Sequence, residues 1–409
     1  MAATISTHEI GALLKEFFLG PVHEQLNRET IALDLFEKAR VTWAGRVAIV
    51  PVHVGATGGA VSFSDAGTVP AARMQDFEKM SVEARRLLAR FQVDGMIMAA
   101  AAKGNGDQVI NWMEGSMDAL VSDVRDTMNQ HVFSGGTCVG FIGQRKNEVA
   151  AADWDFFGDL TKAGGATTVN VVRMDTYASV SAGLAVNSID AAAQTINLNA
   201  LNTDGLPDGV CCALLIDAAA EVLAADQEPT GIYGAIGKIT YFTVSRAAGA
   251  VPALRSNVLD QANDANGNRT ALTLSRLQAA IDTVLTESGE DVDTIFMHPL
   301  QRQSYTALLT ANIQVQGDKA GRGDGGFTGL SYGGVEIRTS RACGRGGLVL
   351  MTLKHWKVLE LEKGGFADFD GSSLSRVANA DAAEGYYKHY YNTVCSRPNA
   401  QAVLIGLSI

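Results

Sequence analysis

Proline is scarce, with 8 in 409 residues, and charged residues make up only 19% of the chain. With 43 glycines against those 8 prolines, the connections are expected to be turns and hairpins. Basic residues are outnumbered, 33 Lys and Arg against 44 Asp and Glu, a formal charge of −11. That deficit argues against a protein that grips nucleic acid through its phosphates, because such binding needs clustered cations. No apolar run can span a bilayer: the patch Gly95 to Ala102 is far too short, and no basic stretch followed by an apolar core opens the chain. Neither export nor a membrane is expected. The five cysteines, Cys138, Cys211, Cys212, Cys343 and Cys395, contain no C-x-x-C pair and read as reduced thiols in a cytosolic setting. A hydrophobic content of 47% is ample for a real core, in two or three domains or in one elongated subunit with arms.

The strongest signal runs from Asp107 to Phe133. Val109, Met113, Met117, Leu120, Val124 and Met128 fall at steps of four and three, one stripe of an α-helix. At a rise of about 1.5 Å per residue the rod is roughly 40 Å long. Glu114, Asp118, Arg125, Asp126 and Asn129 are assigned to its wet or polar side.

Upstream, Ser6-x-x-Glu9 has the form of a capping box. It precedes the narrow stripe Ile10, Leu13, Leu14, Phe17 and Phe18, with a weaker helical pattern from His23 to Lys38. Together these form an arm. Arg46 to Val54 is β-branched and reads as a strand, with Pro51 confining it to a sheet edge or a free hairpin. Gly55 to Pro70 has the composition of a flexible tip. A returning segment from Arg73 to Met98 completes a long two-stranded finger, which is barely stable alone and so is expected to lie across a partner surface.

Beyond the long helix, strands are expected at Thr137–Gln144 and Thr167–Arg173, followed by a β-rich stretch from Val180 to Ala220. A helix carrying Leu274, Leu277, Ile281, Val284 and Leu285, a buried strand at Asp293–Met297 and a helix opened by Pro299 make an α/β unit. Further strands are expected at Val335–Thr339, Leu348–Leu353, Trp356–Leu361, Tyr386–Tyr391 and Gln401–Leu407.

No catalytic set appears. Gly237-Lys238 lacks the spacing of a phosphate loop and reads as a loop glycine beside a solvated lysine. The seven histidines show no metal-ligand spacing, and His298 reads as a strand-end residue whose ring bonds the turn. Glu287, Glu290, Asp291 and Asp293 read as a solvated acidic loop, and Arg322-Gly323-Asp324 as a chance triplet. No cofactor and no metal are expected.

The order of parts resembles the major capsid protein of tailed double-stranded-DNA bacteriophages, with the Hong Kong ninety-seven fold. The residues that carry the resemblance are Gly45-Arg46-Val47-Ala48-Ile49-Val50-Pro51-Val52, Glu228-Pro229-Thr230-Gly231, Met297-His298-Pro299 and Arg397-Pro398-Asn399-Ala400-Gln401. It implies an α+β chain with an N-terminal arm (1–44), an extended β-hairpin loop (45–97) and a peripheral domain (98–165) whose spine helix is 107–133. A β-rich insertion (166–227), an axial α/β domain (228–364) and C-terminal strands (365–409) returning to the peripheral and axial domains would follow. The implied function is self-assembly into pentamers and hexamers of an icosahedral head shell, without enzymatic activity, enclosing double-stranded DNA without sequence-specific binding. Separate scaffolding, portal and decoration proteins are the implied partners, with assembly in the host bacterial cytoplasm and residence in the virion. Contacts between copies are expected at Phe17, Phe18, Arg46, Gly55, Gly58, Gly59, Arg85 and Arg86. Cross-linking through the loop is not carried over, because its only lysine, Lys79, stands away from the glycine tip. A nanocompartment or gene-transfer-particle shell of the same fold, and an α/β enzyme with a hairpin arm, are the alternatives.

Overall fold

The computed structural model describes residues 31–37, 40–55, 74–96, 99, 107–134, 136–143, 153–159, 163, 168–191, 194–199, 211–216, 228–247, 251, 254–260, 269–312, 330–367, 375–377 and 380–408. Phe17, Phe18, the capping box, Gly58, Gly59 and the Arg322-Gly323-Asp324 triplet lie outside them.

Helix α1 (Ile31–Glu37) buries Ala32, Leu33 and Phe36, and strand β1 (Arg40–Thr42) follows it. Phe36 meets Trp356 edge to face with ring centroids 5.2 Å apart, so this end of the arm is docked on its own chain. Strands β2 (Val47–Gly55) and β3 (Asp76–Glu83) pair antiparallel as a separate two-stranded ladder. The expected finger ends at Glu83: β4 (Arg85–Asp94) leaves the hairpin and joins a different sheet.

Helix α2 (Asp107–Ser134) is the long rod that the apolar stripe requires. Val124 and Met128 are buried, and Met117 and Leu120 half-buried. Asn129, assigned to the polar side, is instead 1% exposed. Its Oδ1 accepts the Leu33 N–H at 3.2 Å, one of the first-turn amides of α1 that has no partner inside its own helix. The sequence pattern placed Asn129 opposite the stripe, but α1 covers that side of the rod.

Strands β5 (Cys138–Ile142), β6 (Asp153–Gly158), β7 (Thr168–Arg173), β8 (Ser179–Asp190), β9 (Thr195–Leu198) and β10 (Cys212–Ile216) close into a barrel in the order β10-β5-β6-β9-β8-β7. Trp154, Phe156, Val169, Ile196 and Leu214 fill it. The barrel thus takes in β5 and β6, upstream of the stretch read as β-rich, because alternation identifies strands but not the partners that close them.

Helix α3 (Ile232–Gly237) is buried throughout, and the small hairpin of β11 (Thr240–Tyr241) and β12 (Val244–Ser245) follows. Gly237 is therefore a buried helix terminus, not a loop glycine. A Cβ added there would sit 2.6 Å from Cys138 Sγ and 3.0 Å from Ala213 Cβ, which explains the glycine without any phosphate. Tyr177, at the β7–β8 corner, ties the barrel to α3 by donating to the Ile236 carbonyl at 2.7 Å.

The α/β unit comprises β13 (Asn257–Asp260), α4 (Leu274–Ser288), β14 (Thr294–Met297), α5 (Pro299–Asn312), β15 (Leu330–Tyr332), β16 (Val335–Thr339) and β17 (Leu348–Met351). The Thr273 hydroxyl accepts the Arg276 N–H at the start of α4, and Gly289 ends it at φ +67°. After it come β18 (Trp356–Phe366), β19 (Ser375–Arg376), β20 (Ala382–Cys395) and β21 (Ala402–Ile405). A six-stranded sheet runs β13-β21-β17-β14-β16-β15. A five-stranded sheet runs β1-β18-β20-β19, with β4 laid along the other side of β20.

Two adjacent crossovers join these sheets, one from β17 to β18 and one from β20 to β21. They are stitched together: Thr352 N–H donates to Gln401 Oε1 at 3.1 Å, and Ser396 N–H to the His355 carbonyl at 2.9 Å. Glu290 completes the junction, accepting from Arg397 at 2.7 Å and pairing with Lys354. The Lys354 bond holds the Glu290 carboxyl below its usual range. Glu290 is thus partnered, where the sequence reading had only solvation.

Candidate functional site

The β2–β3 hairpin has two unlike faces because its side chains alternate. Val52, Met80 and Val82 point inward and join the main core, with Ala48, Val50 and Val54 packed against the same cluster. The hairpin is therefore seated on its own body along one face, which corrects the expectation of an unsupported finger. Its outer face carries Ile49 and Phe77, 62% and 59% exposed, and the His53 and Phe77 rings lie 5.0 Å apart. Such large apolar groups in water mark a surface suited to contact.

Pro51 is tolerated in this ladder for a specific reason. It lies opposite Lys79, whose carbonyl is turned to the open edge of β3, so this is a non-hydrogen-bonded pair and the missing proline N–H removes no ladder bond.

The open edge of β3 is held at the root. The Thr243 hydroxyl donates to the Lys79 carbonyl at 2.8 Å and accepts the Ser81 N–H at 3.1 Å. Asn392 Nδ2 donates to the Glu83 carbonyl at 2.7 Å, while its Oδ1 accepts from the Thr230 and Thr393 amides, each at 2.9 Å. Sequence reasoning missed Thr243 and Asn392. Nothing in a threonine at a turn or an asparagine in a tyrosine-rich strand marks it as a partner for residues 160 or more positions away.

The expected contact residues fall in two groups. Arg46 stands exposed at the hairpin root and pairs with Glu83 at 3.7 Å. Arg85 and Arg86 open β4 just beyond Glu83; they point to opposite faces, facing Tyr391 and Tyr390 in register, and only Arg86 is exposed. Gly55 ends β2 at the far end, about 27 Å from Val47 at 3.3–3.4 Å per residue. Arg46, Arg85 and Arg86 thus all lie by the hairpin root, with Arg85 turned away from Arg86, whereas Gly55 stands apart.

The sheet beside the root follows the same alternation. Tyr387, His389 and Tyr391 face inward, with His389 stacked on Tyr391 at 4.4 Å, while Tyr386, Lys388 and Tyr390 face out beside Arg90, Leu88 and Arg86. Lys388 pairs with Glu362 at 2.7 Å and Arg90 with Glu384 at 3.4 Å, so these two basic groups are locally compensated.

His298 does bond its turn: Nδ1 accepts the Leu300 N–H at 3.2 Å at the start of α5. Burial, reinforced by Arg345, pushes its pKa down to about 4. The five cysteines are buried free thiols, and burial raises Cys212 and Cys395 to about 12. Among the described residues, no group of three or more His, Cys, Asp and Glu could hold a metal ion, and no helix is long and apolar enough to cross a membrane.

No protein-family model matches the chain, and no curated protein matches it by sequence. Solved structures do match along almost its entire length. A chain of the cyanophage A-1(L) capsid asymmetric unit is 11% identical with a TM-score of 0.61, covering 99% of this chain and 100% of that one. The capsid of a native GTA particle matches at 9% identity and a TM-score of 0.50, over 100% of both chains. The capsid of an empty GTA particle matches at 9% and 0.52, over 97% of each. At these identities the likeness is one of fold: this mixed helix-and-strand chain has the fold of those capsid chains.

Proposed function

We propose that this chain is the major structural subunit of a phage-type head, with the Hong Kong ninety-seven architecture. Copies would assemble into pentamers and hexamers of an icosahedral shell around packaged double-stranded DNA. The observation that carries this reading is the fold shared with the cyanophage capsid chain over the length of both proteins. It is supported by the hairpin's exposed apolar face, which a neighbouring copy would cover, and by the chain's net negative charge, which suits DNA confined by a wall and not gripped residue by residue.

On this reading α2 is the spine and the β2–β3 hairpin the extended loop, the six-stranded sheet with α4 and α5 is the axial domain, and the barrel is the insertion. Arg46, Gly55 and Arg86, with Phe17, Phe18, Gly58, Gly59 and Arg85, are proposed as contacts between copies. Scaffolding, portal and decoration proteins are the proposed partners, the host cytoplasm the place of assembly, and the virion the final location. The function is structural, without catalysis.

The GTA likeness favours one second reading, a gene-transfer particle of the same build. Negative-stain microscopy of the expressed protein tests the shell, and the contents of purified particles separate the two readings. A monodisperse monomer by light scattering, at concentrations where capsid subunits associate, would sink both and return the α/β-enzyme alternative.

A further inference from the structure

Apolar packing holds the inner face of the β2–β3 hairpin against the body, but packing is non-directional and leaves the hairpin's swing within its own plane unspecified. Directional bonds along one edge remove that freedom. Lys79, Ser81 and Glu83 alternate correctly to turn their backbone groups toward the open edge of β3, and all three are taken by side chains. They cover about 14 Å of edge, enough to fix both position and twist. Among the described residues, no side chain reaches that edge beyond Lys79.

We propose that Thr243 and Asn392 are positioning residues that set the direction in which the hairpin leaves the body. The clamp is a property of the single chain; its use in aiming the hairpin at a neighbouring copy rests on the shell reading above.

Both clamps are themselves immobilised. Asn392 is 1% exposed, and its Oδ1 already serves two amides, which leaves Nδ2 no orientation but toward Glu83. Thr243 sits in the two-residue turn between β11 and β12. Such turns usually contain Asn or Gly because backbone there enters the left-handed region, yet here Phe242 occupies φ +53°. A bulky residue persists in that conformation only where its surroundings over-determine it.

Those surroundings are visible. Tyr241 OH accepts the Cys395 N–H at 2.8 Å. The fully buried Arg246 guanidinium lies 4.4 Å from the Tyr241 ring, and its Nη1 donates to the Ile236 carbonyl at 3.1 Å. The turn is anchored from behind and presents one hydroxyl forward. Thr243 itself is exposed, so removing that hydroxyl opens no core.

The test is residue-resolved hydrogen exchange on the unassembled full-length chain, with particle morphology as a second arm. In the unmodified protein the Ser81 amide exchanges at least about tenfold more slowly than that of Phe77, which faces the same edge without a described partner. Thr243→Val, which removes the hydroxyl at nearly constant shape, accelerates Ser81 about tenfold, the factor for one lost hydrogen bond, while Thr243→Ser preserves protection. Closed particles become fewer or misshapen with Thr243→Val alone. Equal exchange at Ser81 and Phe77 in the unmodified chain overturns the clamp even if no variant folds, and so does a Ser81 rate untouched by Thr243→Val. Normal shells from Thr243→Val with Ser81 deprotected overturn its positioning role. Failure of the unmodified chain to form shells strikes the shell reading and leaves the exchange result to stand.

Discussion

Glu360 Oε1 lies 3.0 Å from His389 Nε2 between β18 and β20, with the two residues 1% and 2% exposed. Arg40 Nη1 reaches the same oxygen at 3.1 Å, so one buried carboxylate ties the end of the arm to the five-stranded sheet. Replacing it with Leu leaves two cationic or polar partners facing an apolar group. We expect Glu360→Leu to cost about 3 kcal/mol, the lower end for breaking a buried pair, since Arg40 keeps partial access to water. Denaturant titration of the unassembled chain reads this, and an unmoved midpoint would refute it.

A Cβ at position 237 has no room beside Cys138 and Ala213. Gly237→Ala is expected to destabilise by about 1–3 kcal/mol through overpacking, and Cys138→Ala in the same chain to recover part of that loss. Strictly additive effects of the two substitutions would show that the contact is not the cause.

The depressed pKa of His298 links stability to pH with a definite sign. Between its ordinary 6.5 and about 4 the unfolded chain binds a proton that the folded one refuses. The contribution is fully present above pH 6.5 and is lost progressively as pH falls toward 4. His298→Asn keeps a capping group without a titrating one, so its melting temperature should vary less with pH across that window. Parallel curves for the two proteins, measured by calorimetry, would contradict this.

Deleting Gly55–Pro70 should leave circular dichroism and the unfolding midpoint of the body nearly unchanged, because Val52, Met80 and Val82 still seat the hairpin root. Closed particles should no longer form. Shells of normal size from this deletion would remove the hairpin from the account of assembly.

The long helix α2, the capped α4, the proline-opened α5 and most strands were legible, because period and terminators are local properties of sequence. What was hidden lies between elements. Alternation announced the strands of the barrel without revealing that β5 and β6 help close it. The finger could not be seen to end at Glu83, since β4 owes its place to β20, nearly 300 residues later. Asn129 and Glu290 looked solvated for the same reason: their partners, Leu33 and Arg397, come from distant segments. Arg46 and Gly55 could be placed at the two ends of β2 because the strand pattern of the hairpin is recognisable in the sequence. Thr243 and Asn392 each act through two long-range bonds that no local pattern records.

The paired crossovers carry a mechanical consequence. A lone connection would allow the six-stranded and five-stranded sheets to flex against each other. Two struts side by side, cross-braced by Thr352 with Gln401 and by Glu290, which holds Lys354 of one and Arg397 of the other, pass load from one sheet to the other as a stiff girder. In a shell of the kind proposed above, a wall built from such girders would yield first at the seams between copies.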